Sequence, residues 1–248
     1  MCCFSQPVDY VRSTNIFART SKGSRQYLVY SMQLKAGSDL AMILPIPTPP
    51  AAPDHALKFI NLEDYEDFFA ELLLGFPPPP TQSAGRSLSG SLPPPNKALE
   101  VVQVGSFEAS FVPTVKDFGR LDERFRLPAD VWTALPQYKD WGFAVFKLKK
   151  GAQKVHPMAF EFPRAKADRL FFPTVHIHDG KVHDRARFDH VLYCQNTAGE
   201  RVGMWEETHQ PAGMFMKKIA KSQGIVAPDA HVYRKTMMGM LRNDDTWI

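Results

Sequence analysis

Several histidines lie close together near residue 180, and they are the residues of this chain best suited to chemistry. Asp179 and Gly180 form a two-residue pair that is typical of a tight β-hairpin turn. Side chains alternate between the two faces of a strand, so this register places His176, His178 and His183 on one face. Opposed Cβ atoms lie roughly 5 Å apart and diagonal ones about 7–8 Å apart. The spacing therefore predicts three imidazoles that could meet at one metal ion.

The chemistry of such a site depends on the metal. Neutral imidazoles suit zinc, iron or copper. Three histidines and an open position form a known catalytic zinc arrangement, in which the metal activates water for hydrolysis or hydration, whereas iron or copper would bind oxygen. The alternative is that these histidines are polar decoration of a solvated sheet face. A different loop length would also send His183 to the other face.

Further residues could complete the site. By strand alternation, His190 and Cys194 share one face of a predicted strand, so His190 is a candidate fourth ligand, while packing explains Cys194 better. Asp179 and Asp189 are candidates for orienting a ligating imidazole. Glu206 is a candidate general base for a metal-bound water.

Cys2 offers a different chemistry. Removal of the initiator methionine would expose an α-amine and a thiol on one residue, which together form the nucleophile and base of an N-terminal-nucleophile amidohydrolase. The start is similar to that of class II amidotransferases, although Cys3 stands where those enzymes have glycine. The alternatives are a frayed terminus with incidental thiols and palmitoylation of the paired cysteines.

Composition narrows the function classes. The 248 residues are 44% hydrophobic and 23% charged, with a net charge of +4, as in many soluble globular proteins. The chain has no dense run of basic residues, the pattern that would predict nucleic-acid binding. It also has no run of about 18 apolar residues, the pattern that would predict a membrane span. Three cysteines do not make a disulfide framework. We expect a cytoplasmic protein with a small-molecule substrate, and the oligomeric state stays open.

The elements that must position these residues are mostly strands. Alternating apolar residues predict an α+β fold with a mostly antiparallel sheet of about ten short strands. Helical spacing predicts helices over 61–75 and 211–223. Residues 99–112 predict a hairpin around Gly105. We expect a single domain over 1–248, with residues 77–97 as a flexible insertion rich in proline, serine and glycine.

Several segments resemble an uncharacterised bacterial family of unknown function. They are the cysteine-rich start, Ile16-Phe17-Ala18, the strand of residues 41–47 that ends in Pro-x-Pro, and Phe143 to Leu148. The resemblance implies a bacterial source, and it supplies no activity and no functional residues.

Three functions remain open from the sequence. The favoured one is a metal-binding protein or metalloenzyme built on the three-histidine hairpin. The second is an amidohydrolase that uses Cys2. The third is a non-catalytic binding or scaffold protein, whose contacts would come from the proline-rich insertion and the surface helices.

Overall fold

Short strands dominate the fold, and the computed structural model describes residues 2–77, 102–105, 107–154, 156–196 and 202–248. In chain order the strands are β1 (Cys2–Phe4), β2 (Tyr10–Ser21), β3 (Arg25–Ala36), β4 (Leu40–Ile46), β5 (Lys58–Asn61), β6 (Val102–Val104), β7 (Phe107–Val112), β8 (Gly142–Leu148), β9 (Gly151–Lys154), β10 (Met158–Pro163), β11 (Phe171–Phe172), β12 (His176–Ile177), β13 (Arg185–Gln195), β14 (Glu206–Glu207), β15 (Tyr233–Arg242) and β16 (Thr246–Trp247). The predicted α+β class with mostly antiparallel pairing is confirmed.

The helices are few and short. The two α-helices are α1 (Phe68–Leu74) and α2 (Ala129–Thr133). Single 3₁₀ turns cover Glu63–Tyr65, Val115–Arg120, Glu123–Phe125, Pro136–Tyr138, Ala212–Met214 and Ile219–Ser222. Within the described residues, no helix is long and apolar enough to cross a membrane.

The strands form two large sheets and one small ribbon. The six-stranded sheet has the order β12-β1-β4-β8-β7-β6. The eight-stranded sheet has the order β14-β15-β13-β2-β3-β10-β5, and β9 pairs with the distal part of β3. Strands β11 and β16 pair with each other. Two neighbouring pairs are parallel, β1 with β12 and β13 with β2.

Alternation along β3 explains how the layers form. Leu28, Tyr30 and Leu34 are fully buried in the core that also holds the side chains of β4 and β8. Val29 points to the opposite face, where it packs in a second core with Phe68 of α1. The eight-stranded sheet is therefore apolar on both faces, with the first sheet on one side and α1 on the other.

Two helix predictions differ from the structure. The stretch 61–75 divides into a 3₁₀ turn and α1, because the Asn61 side chain accepts the Glu63 N–H at 2.9 Å and starts a tight turn. The stretch 211–223 contains only two 3₁₀ turns, so the second helix prediction is wrong. There the Gly213 N–H donates to the Pro228 carbonyl at 2.8 Å, which draws the backbone away from a helical ladder.

The hairpin predicted over 99–112 is confirmed in the described part. Val104 pairs with Phe107, and Gly105 has a φ of 59°, a left-handed conformation that suits glycine at this turn. The proposed insertion at 77–97 falls, apart from Pro77, outside the described residues.

Candidate functional site

The amino-terminal strand is built into the middle of a sheet. β1 lies between β4, to which it is antiparallel, and β12, to which it is parallel. Cys3 pairs with Ile43 on one side and Ile177 on the other, and its side chain is fully buried. The backbone of Cys2 lies in register with His176. Cys3 and Phe4 are therefore core residues, and the backbone of Cys2 lies beside His176, one of the histidines that the sequence singles out.

Residues near the carboxyl end hold β12 in place. The N–H of His176 donates to the Asn243 side-chain oxygen at 2.7 Å. The Asn243 amide donates in turn to the carbonyl of His176 at 3.0 Å and to that of His183 at 2.9 Å. One asparagine side chain thus replaces a neighbouring strand along the outer edge of β12.

A buried carboxylate continues this contact. Asp245 accepts the Tyr138 hydroxyl at 2.6 Å, the Thr174 N–H at 2.9 Å and the Val175 N–H at 3.3 Å. Burial raises the pKa of the Asp245 carboxyl and, together with Asp245, that of the Tyr138 hydroxyl. Sequence reasoning missed this contact, although the polar run Asn243-Asp244-Asp245 before Trp247 could have indicated it.

Three imidazoles pack where β12 meets β13. The ring centroid of His176 lies 4.9 Å from that of His178 and 4.6 Å from that of His190. His190 has no exposed surface and His176 is 7% exposed. Phe188 and Phe4 complete the surroundings, at 4.5 Å from His176 and 5.6 Å from His178. The imidazoles therefore pack mainly against aromatic rings and each other, and they are not part of a solvated sheet face.

The nitrogens of these rings are not satisfied. Among the described residues, no hydrogen-bond partner is present for Nε2 of His176, Nε2 of His178 or either nitrogen of His190. Asp189 Oδ1 is 3.8 Å from His190 Nδ1, which is too long for a hydrogen bond. Burial lowers the pKa of His176 to about 3 and that of His178 to about 4, and it lowers the pKa of His190 well below the ordinary value. With these lowered pKa values, all three rings are neutral near pH 7.

The predicted hairpin at Asp179-Gly180 is wrong. Residues 178–184 form bends and coil, so no strand lies between β12 and the start of β13 at Arg185. Asp179 accepts the Lys181 N–H at 3.1 Å and contacts His183 Nε2 at 2.9 Å. These local bonds close a compact turn, and His183 projects from it with its side chain 54% exposed. His183 is therefore not directed to the face that His176 and His178 share.

The metal site predicted from that hairpin is also wrong. Within the described ranges, no group of three or more histidine, cysteine, aspartate or glutamate side chains is arranged to hold a metal ion. The metal-binding function, with His176, His178, His183 and His190 as ligands, is overturned by this geometry. Among the described residues, no set of ligands remains from which zinc, iron or copper could be chosen.

The other candidate residues lie apart from one another. Glu206 is exposed in β14, where it forms an ion pair with Arg234. Cys194 is fully buried in β13, and burial raises the pKa of its thiol, as expected of a packing residue. The nucleophilic role of Cys2 stays a prediction.

Comparisons with known proteins give a fold and no family. No protein-family model matches the chain, and no curated protein matches it. A solved structure of baculovirus P35 is similar over 96% of this chain and 95% of its own, with a TM-score of 0.50 and 11% identity. The complex of caspase-8 with P35 matches over 95% of each chain, with a TM-score of 0.48 and 13% identity. At these identities the likeness concerns the fold alone, and the resemblance to a bacterial family stays a prediction.

The expectation of a small-molecule substrate is wrong as well. It accompanied the metal site, which no group of side chains in the described ranges forms. The similar protein P35 is described with a protein, caspase-8, as its partner.

Proposed function

We propose that this chain is non-catalytic and acts by binding another protein. The observation that carries the proposal is the whole-chain likeness to baculovirus P35, which covers 96% of this chain and 95% of the other with a TM-score of 0.50. The likeness includes nearly the full length of both chains, so it extends beyond one shared supersecondary motif. A fold alone does not define a function, so the residues of the site must support the proposal as well.

The described side chains support a non-catalytic role. Cys3 and Cys194 are buried and form no disulfide among the described residues, so neither presents a thiolate to solvent. His176 and His190 are buried, and among the described residues no hydrogen-bond partner is present for Nε2 of His176, Nε2 of His178 or either nitrogen of His190. An enzyme of the nucleophile-and-base type needs the opposite, an accessible nucleophile hydrogen-bonded to a base.

Caspases are the first class of partner to test. P35 appears in one matched structure in complex with caspase-8, and a mutated P35 appears in another, with 12% identity and a TM-score of 0.46, after cleavage by a caspase. From these structures we carry over to this chain only the class of partner, which is a protease.

The experiment measures binding and catalysis side by side. Surface plasmon resonance with immobilised caspase-8 tests for a saturable complex with the intact chain. A panel of amide and ester substrates, incubated with the chain and with Cys2→Ser, tests for intrinsic hydrolysis. We expect a saturable complex and no turnover that depends on Cys2.

One result would contradict the non-catalytic role, and another would exclude the first partner class. Substrate hydrolysis by the wild-type chain that disappears in Cys2→Ser would show that the protein is an enzyme. The absence of binding to caspase-8 and to every other caspase in the same format would remove caspases as the partner class.

A further inference from the structure

β15 has a free edge. β14 pairs with β15 only at Tyr233 and Arg234, so the eight residues from Lys235 to Arg242 have a strand neighbour on one side only, β13, among the described residues. The ladder with β13 keeps its register throughout, including at Gly239. A regular edge of this length presents unpaired backbone N–H and C=O groups, which are a template for another strand.

The exposed side chains on this edge are apolar and basic. Met238 is 62% exposed and Met240 is 56% exposed, which is high for such residues in a strand. Residues 235–242 contain two cations, Lys235 near one end and Arg242 at the other, and no acidic residue. Arg242 is paired with Asp244 at 2.5 Å, whereas no anionic partner of Lys235 lies among the described residues.

This charge pattern distinguishes between two kinds of strand. If a second copy of the chain paired antiparallel through the same edge, Lys235 of each copy would lie opposite Arg242 of the other. Directly opposed like charges destabilise a strand pair. A segment with acidic residues at its ends and apolar residues between them would instead place one carboxylate opposite Lys235, the other beside the Arg242–Asp244 ion pair, and its apolar side chains against the methionines.

The edge also leads into a groove. A cavity of about 480 Å³ is lined by residues that include the cations Arg185 and Arg242, Asn243, and the carboxylates of Asp184 and Asp244. The Arg185 guanidinium donates to the Met240 carbonyl at 2.7 Å, so one carbonyl of this stretch already accepts a donor from a side chain. The groove gives space for the end of a bound segment beyond the last residue of β15.

We propose that residues 235–242 of β15 form a docking edge for an extended, acid-flanked apolar segment of a partner protein, which adds as a further strand. This inference rests on the proposed protein-binding function and names a surface for it. Addition of a strand to an exposed sheet edge is a general mode of peptide recognition, in which main-chain bonds give affinity and alternate side chains give specificity.

The test uses a defined peptide. The probe is a labelled eight-residue peptide of alternating valine and threonine with a glutamate at each end, and its binding to the full chain is followed by fluorescence anisotropy. One control peptide has lysine at each end, and another carries N-methyl groups on alternate amides. We expect the acidic peptide to bind best, the N-methylated one not to bind, and affinity to fall between about 50 mM and about 300 mM salt.

Charge reversal on the protein supplies the matched comparison. Lys235→Glu should weaken binding of the acidic peptide about threefold to tenfold, because it replaces an attraction by a repulsion at an exposed site. Lys217→Glu changes an exposed lysine between two 3₁₀ turns and should leave binding unchanged. Hydrogen exchange should show new protection of the amides in residues 235–242 when the acidic peptide is bound.

Several results would overturn the proposal. They are equal binding of the acidic and lysine-ended peptides, equal effects of the two protein variants, or protection outside residues 235–242. Dimerisation of the free chain that Met240→Lys abolishes would assign the edge to a second copy instead. If caspase-8 binds Lys235→Glu and Lys217→Glu equally well, the protein-binding function stands and this surface is wrong.

Discussion

Replacement of His190 by leucine should make the protein less sensitive to acid. His190 is fully buried, and neither of its ring nitrogens has a hydrogen-bond partner in the part of the chain that the structure describes. In the folded state its pKa lies well below the ordinary value of 6.5 because of burial and the neighbouring His176. In the unfolded chain the same ring is in water and takes up a proton below about pH 6.5.

The sign and size of the effect follow from proton linkage. Because the unfolded state binds more protons than the folded state, the free energy of unfolding falls as the pH drops below about 6.5. At about pH 5 a ring that stays neutral in the fold loses about 2 kcal/mol relative to neutral pH. His176 and His178, with pKa values lowered to about 3 and about 4, add similar losses. The sum of about 6 kcal/mol is comparable with the whole stability of a typical domain.

The assay is urea unfolding followed by fluorescence of the four tryptophans, at about pH 7.5 and about pH 5. His190→Leu should lose about 2 kcal/mol less than wild type between the two conditions. At the higher pH the variant should equal or exceed wild type, because an unsatisfied polar group has been removed. His209→Gln, which changes an exposed histidine, should behave as wild type does.

The reasoning would be refuted if His190→Leu lost as much stability on acidification as wild type. That result would mean that His190 is protonated in the fold or has a partner that accepts its proton.

Two further predictions test the packing. Phe68 lies in the core between α1 and the eight-stranded sheet, and Phe68→Ala should lower the free energy of unfolding by about 3–5 kcal/mol in chemical unfolding. Leu74 is 57% exposed on the same helix, and Leu74→Ala should change that free energy by less than about 0.5 kcal/mol. Gly142→Ala should lower the melting temperature, because a Cβ there would lie 2.4 Å from the Phe111 ring. Gly37→Ala should not lower it, because a Cβ at that position would have no described atom beyond its chain neighbours within 4 Å. Equal effects within either pair would contradict the packing described.

Local patterns predicted the strands but could not predict their partners. The alternation of Leu28, Tyr30, Met32 and Leu34 identified β3 and its buried face. The same alternation at His176 and Ile177 indicated a strand, but the pairing with β1 joins residues more than 170 positions apart. A contact of that separation leaves no periodic signal in one sequence.

The error at the candidate site has a physical cause. Asp179-Gly180 does form a turn, with Gly180 at a φ of 76°, but the Asp179 side chain closes it through Lys181 and His183. The side-chain amide of Asn243 then occupies the edge at which a second hairpin strand would have paired with β12. Long-range hydrogen bonds decided the outcome over a strong local turn signal.

Sedimentation velocity of the chain mixed with caspase-8 tests the central claim most directly. A non-catalytic binder of this partner class should co-sediment with the protease as one complex of fixed stoichiometry, with the chain recovered as a bound protein. Two independently sedimenting species at micromolar concentrations, together with turnover of a small substrate that Cys2→Ser abolishes, would contradict the account.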